Sequence, residues 1–158
     1  MTSVKIISAL VENRPGVLFK VSNMIRRRSF NIESITVGTI DHKDISRMTI
    51  TLDAEDAIVE QLVKQLTKLI DVIEAEVFTP EEATARELAL IKLRSNTKVR
   101  MDMQDLQELR VVESSADSLT LELIGGPDVI DEFLQKIGES DVQSVARTGI
   151  TALPKRGS

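Results

Sequence analysis

VKIISALVENRPGVLFKVSNMIRRRSFNIESITV, residues Val4 to Val37, decides how the rest of the chain is read. Lys5 to Val11 is an apolar strand. The run breaks at Glu12-Asn13-Arg14-Pro15-Gly16, and a helix follows from about Val17 to Arg28. After a turn at Ser29 a second strand begins at Asn31. Proline is tolerated at a helix start because the first amides have no intrahelical partner. Gly16 allows another backbone or a ligand to approach closely. The N-terminal amides and the positive end of the helix dipole face whatever lies above the turn, and a carboxylate suits that place. Asn13 adds a side-chain amide that both donates and accepts. The turn is therefore a seat for a small zwitterion such as an amino acid. Taken on its residues alone, it is equally a tight strand-to-helix connection.

Downstream, Asn31 to Val37 alternates apolar and polar residues, the period of a strand with one buried face. Gly38 to Asp44 reads as a hairpin loop, and Ser46 to Leu52 alternates again. Glu55 to Lys68 is helical, with Ile58, Leu62, Gln65 and Leu66 on one stripe that Leu69 extends. Asp53 or Asp56 is placed to cap it. Ile70 to Phe78 is a fourth strand. The order strand, helix, strand, strand, helix, strand predicts a ferredoxin-like α+β unit, an antiparallel sheet with two helices on one face.

Thr79 to Ala85, with Pro80, reads as a linker between a domain at 1–78 and another at 86–158. The second half offers a strand at Arg86–Leu93, a helix at Asn96–Leu109 and a short strand at Arg110–Glu113. An alternating strand at Ser118–Ile124 follows, then an amphipathic helix at Pro127–Ile137 that Gly138 ends. A closing strand runs over Val142–Leu153. Asp56 to Lys64 aligns with Asp128 to Lys136, 72 positions on, and Arg47–Leu52 matches Ser118–Leu123 in pattern. Two amphipathic helices can coincide by chance, but the element order repeats too. Two βαββαβ units are expected, the second without the Pro-Gly turn.

Composition narrows the function. A chain of 158 residues with 42% hydrophobic and 28% charged residues is ordinary for a folded protein of one or two small domains. The net charge of −5, with no Trp or Tyr and four Phe, argues against a nucleic-acid binder. The absence of Cys removes disulfides, thiol nucleophiles and thiolate metal sites. Residues 1–30 have no signal-peptide core, and no stretch approaches the roughly 18 apolar residues of a membrane span. A cytoplasmic location without membrane attachment is expected. His42 stands alone in its loop, a poor metal or catalytic candidate. No catalytic triad, P-loop or dinucleotide fingerprint is present. Neither catalytic nor metal residues are expected. Arg26, Arg27 and Arg28 suit a solvated helix C-terminus. Arg47 points outward from the core face, equally as an exposed strand charge or as a contact for a partner chain, and Arg147-Thr148-Gly149 reads as structural.

Taken together, ENRPGVL at 12–18, FNIESITV at 30–37, SRMTI at 46–50, KLIDV at 68–72, RELALIKL at 86–93 and VARTG at 145–149 resemble, in order, the regulatory (small) subunits of acetohydroxyacid (acetolactate) synthase. The N-terminal half resembles their ACT domain. The resemblance implies a non-catalytic subunit that binds a branched-chain amino acid, valine first among them. The effector contacts it implies are Asn13, Gly16, Val17 and Leu18, with Asn31 and Ile32 from a neighbouring copy. Ser29 stands where the family commonly has Gly. Also implied are a homodimer through the ACT domains and a catalytic large subunit that carries thiamine diphosphate, magnesium and FAD. That subunit would be activated and made sensitive to its end product. A free-standing ACT-type sensor acting on another enzyme or a transcription regulator is the competing reading. RELALIKL and VARTG argue against it. An acylphosphatase-like enzyme would want a multi-Gly phosphate cradle that the turn lacks.

Overall fold

The computed structural model describes residues 3–28, 31–40, 44–97 and 108–155. Ser29, Phe30, His42 and the 98–107 part of the helix expected over Asn96–Leu109 lie outside them. The chain divides into two units, residues 1–84 with 150–158, and residues 85–149.

The first unit contains β1 (Ser3–Glu12), α1 (Val17–Arg26), β2 (Ile32–Thr39), β3 (Ile45–Ala54), α2 (Asp56–Leu66) and β4 (Val72–Phe78). Its antiparallel sheet has the order β2-β3-β1-β4, the ferredoxin-like arrangement expected from the element order. Val17, Val21 and Ile25 lie on one stripe of α1, and Val59, Leu62 and Leu66 on one stripe of α2. Both stripes bury against Ile7, Ala9, Val11, Met48, Ile50 and Leu52 of the sheet. Fully burying one such aliphatic side chain is worth about 1.5–3 kcal/mol. The fourth strand starts at Val72, two residues later than expected, and Ile70 is 91% exposed.

Of the stretch 79–85 expected as a linker, Pro80–Glu82 form a 3-10 turn held by a Thr79–Glu82 capping box. Ala83 opens β5 (Ala83–Arg94), a strand longer than the expected Arg86–Leu93. The second unit continues with β6 (Leu109–Ser114), β7 (Ser118–Gly125), α3 (Pro127–Ile137) and β8 (Val142–Arg147). Its strand order, β6-β7-β5-β8, repeats that of the first sheet. The loop bonds repeat as well. Glu12 N donates to Asp71 O and Asn13 N to Asp44 O, while Arg94 N donates to Asp141 O and Ser95 N to Asp117 O. Burial corrects the 72-residue alignment of the helices. Val59, Leu62 and Leu66 correspond to Ile130, Phe133 and Ile137 at an offset of 71, as Ile50 and Leu52 do to Leu121 and Leu123. The shared letters at an offset of 72 are coincidental, because packing follows the buried face.

The expected single closing strand at Val142–Leu153 is two strands. Gly149, at φ 82, breaks it, and a side chain there would be strained. β8 and β9 (Thr151–Pro154) both pair with β5, but β9 belongs to the first unit. There Ile150 N donates to Ser34 Oγ, on the sheet face away from the helices. That face carries Ile6, Ser8, Thr49, Thr51 and Phe78, all buried. Ile150 and Ala152 are buried with them, and Lys155 N is bonded to Glu82 O.

Candidate functional site

The turn after β1 is fixed by backbone bonds rather than by side-chain caps. Glu12 N reaches Asp71 O at 2.8 Å, Asn13 N reaches Asp44 O at 2.8 Å, and Arg14 N reaches Glu12 O at 2.9 Å. The Arg14 guanidinium closes on Glu12 at 2.9 Å. Gly16 then takes φ 86 and ψ −8, a left-handed conformation at the position before the helix. An L side chain there is disfavoured by roughly 1–2 kcal/mol. Space above it is open, since a Cβ added to Gly16 would meet nothing within 4 Å. The residue before α1 is glycine and so offers no side chain as a cap, and the first turn holds no acidic residue. The positive end of the helix dipole is therefore uncompensated by protein carboxylates on that turn.

Lys20, one turn into α1, pairs with the buried carboxylate of Asp71 at 2.6 Å. Asp71 thus holds the turn through its carbonyl and the helix through its side chain. Sequence reading missed this pair because its members are 51 residues apart.

Among the expected effector contacts, Asn13, Gly16 and Leu18 are exposed at the turn. The side chain of Val17, 3% exposed, belongs to the core and leaves only backbone to a ligand. Asn31 is exposed, and Ile32 is half-buried against the core. The two groups sit at opposite ends of the sheet. Ile32 pairs with Leu52, and Leu52 with Lys5. From Lys5 to Asn13 the extended chain rises by about 26 Å. One chain does not bring the two groups together.

β2 is an edge strand, with Val37 43% exposed. Arg47 lies on the sheet face away from the helix-packed core, as expected, and there donates to Ser8 Oγ at 2.6 Å. Among the described residues no group of three or more His, Cys, Asp or Glu is placed to hold a metal ion, and no helix is long and apolar enough to cross a membrane.

The second unit has its own polar centre. Arg147 binds both oxygens of buried Glu87 at 2.8 Å and Asp131 at 2.6 Å. Hydrogen bonding to Glu87 above all holds its guanidinium more firmly protonated than usual. A bidentate bridge with one partner buried is a structural element.

Residues 7–74 match the AHAS small subunit-like ACT domain, and residues 86–156 match the small subunit of acetolactate synthase. The chain belongs to the acetolactate synthase small subunit family. It is 41% identical over 150 residues to a probable acetolactate synthase small subunit of Archaeoglobus fulgidus, covering 93% of this chain and 94% of that one. With the acetolactate synthase small subunit of Mycolicibacterium smegmatis it shares 39% over 152 residues, covering 94% and 89%. The crystal structure of the small subunit from Thermotoga maritima superposes with a TM-score of 0.87 at 32% identity, covering 99% of both chains.

Proposed function

We propose that this chain is a non-catalytic regulatory subunit that seats a branched-chain amino acid, valine first, on the Asn13–Leu18 turn. The observation that carries this is Gly16: left-handed, with open space above it, at a helix start whose first turn holds no acidic residue. The ligand carboxylate meets the helix N-terminus, and the exposed Leu18 offers apolar surface to its side chain. Asn31 and Ile32 come from a second copy, because within one chain they lie at the far end of the sheet. Pairing along the β2 edges supplies that copy and covers an exposed apolar edge.

In this reading effector binding is assigned to residues 1–78. Residues 79–85 lead into the α+β domain at 86–158, whose last residues return to the first unit. The chain acts in the cytoplasm on a catalytic large subunit, which it activates and makes sensitive to the end product. Thiamine diphosphate, magnesium and FAD belong to that partner. Feedback needs the effector to favour one arrangement of the complex by about 1–3 kcal/mol.

Calorimetry with valine, leucine and isoleucine, followed by an acetolactate assay of the reconstituted complex, tests the reading. Saturable valine binding and valine-dependent inhibition are expected. Absence of binding by the folded dimer overturns it.

A further inference from the structure

The helix layer of the first unit carries a groove of about 540 Å³ between α1 and α2. Phe19, Met24 and Leu69 give it apolar surface, and Lys20, Arg27 and Arg28 give it charge. No carboxylate is among the described residues that line it, although the whole chain has a net charge of −5. Phe19 is 69% exposed, whereas Phe78 and Phe133 are buried at 6% and 1%. Next to Leu69, Ile70 is 91% exposed, and Ile73 is 56% exposed. The helix dipole accounts for arginines at the end of α1. It does not account for an exposed aromatic one face away, or for the isoleucines beyond the groove. Aromatic and Arg side chains together are the usual anchors of protein interfaces.

We infer that this groove, with Phe19 as its anchor and the exposed Ile70 next to Leu69 extending the contact, docks a segment of the catalytic large subunit that presents aliphatic side chains flanked by carboxylates. The inference rests on the regulatory reading above and adds its surface of contact. A second copy of this chain is a poor occupant, because a two-fold contact would set Arg27 and Arg28 of one copy against the same arginines of the other. Nucleic acid is disfavoured by the overall negative charge. Position favours an output surface. Lys20 lines the groove and also holds Asp71, whose carbonyl receives Glu12 N from the effector turn. The groove and the effector seat therefore share one buried joint.

The test titrates the purified catalytic large subunit with the parent chain and with Phe19→Glu, Ile70→Glu, and Arg27→Glu combined with Arg28→Glu. Leu90→Glu, an exposed site in the second unit, serves as a comparison. Circular dichroism and light scattering establish fold and mass, and calorimetry establishes valine binding. The groove variants are expected to lose at least about thirtyfold in affinity for the catalytic subunit, the scale of interface hot spots. Valine binding and dimer mass should match the parent. The parent's affinity should fall with added salt, and that dependence should shrink in the double arginine variant.

Parent-like affinity in all folded groove variants overturns the inference, as does conversion of those variants to monomers, which would make the face a self-interface. If tripolyphosphate binds the parent and not the double arginine variant, while both take up the catalytic subunit alike, the groove is an anion site and the inference fails. If the parent itself neither binds the catalytic subunit nor changes its rate, the regulatory reading falls, and this surface with it.

Discussion

Gly16→Asp separates the chemistry of the proposed effector seat from its architecture. Gly16 sits at φ 86, and a Cβ there meets nothing within 4 Å. The substitution therefore adds backbone strain without a clash. A left-handed L residue is disfavoured by roughly 1–2 kcal/mol, with Asp among the better tolerated. A carboxylate at the first turn of α1 returns about 0.3–1 kcal/mol. The net destabilisation is at most about 1.7 kcal/mol, a Tm shift of no more than roughly 3–7 °C for a chain of this size. The effect on binding is larger. Two carboxylates about 5 Å apart, at an effective dielectric of about 20, repel by roughly 3 kcal/mol, which is more than a hundredfold in affinity. Gly16→Asn fills the same space with the same strain and no charge, so the Asn-to-Asp ratio isolates the electrostatic part. Calorimetry with valine should rank parent above Asn and Asn well above Asp, with urea melts confirming that all three fold. Equal affinity of Asn and Asp variants would remove the ligand carboxylate from the helix N-terminus. Parent-like binding by Gly16→Asp would reduce the turn to a mere connection.

Purified free of any large subunit, the chain should show no turnover of pyruvate with thiamine diphosphate and magnesium; measurable acetolactate would give it an active site of its own. Light scattering at micromolar concentration should return at least twice 17.5 kDa, since the exposed β2 edge favours pairing, and a clean monomer would leave the seat incomplete. Truncation after Gly149 should destabilise the first unit by about 2–4 kcal/mol, because Ile150 and Ala152 would no longer be buried; an unchanged urea midpoint would show that the returning segment contributes nothing. Arg147→Ala should lower the stability of the second unit by about 1–3 kcal/mol by leaving the buried Glu87 carboxylate without its partner, and adding Glu87→Met should restore part of it.

What the sequence made legible was local and periodic. Alternation in Ser46–Leu52 and spacing in Pro127–Ile137 depend on which face is buried, and burial is printed in the order of residues. The Pro15-Gly16 turn was legible for the same reason. Even Val17 carried its own warning: it begins the 17, 21, 25 stripe that forms the buried face of α1. Phe19 lies off that stripe, a signal of exposure that periodicity alone contained. Pairings of distant residues left no such trace. Lys20 with Asp71, and Glu87 with Arg147, are 51 and 60 residues apart. The break at Gly149 was hidden because Ile150-Thr151-Ala152-Leu153 continues the alternation, although in the first unit. Glycine marked the place, but nothing in the residue order said which unit the following strand would join.

In the proposed reading the effector seat is a property of an assembly, as the geometry of one chain requires. The Asn13–Leu18 turn and Asn31–Ile32 are held at opposite ends of a sheet whose strands are paired along their length. A ligand touching both must bridge two copies, so its binding energy is spent on the relation between copies rather than on the fold of either. Asp71 makes that relation matter to the rest of the unit. It is 6% exposed and bonded at once to the turn and to α1. The turn and its helix are therefore tied to one residue. An effector that favours one relation of the two turns also favours one relation of the two helix layers, because packed elements shift as bodies. In the proposed reading the catalytic subunit senses that shift at Phe19 and the cations beside it. Coupling then requires only that its affinity for the groove differ between the two arrangements.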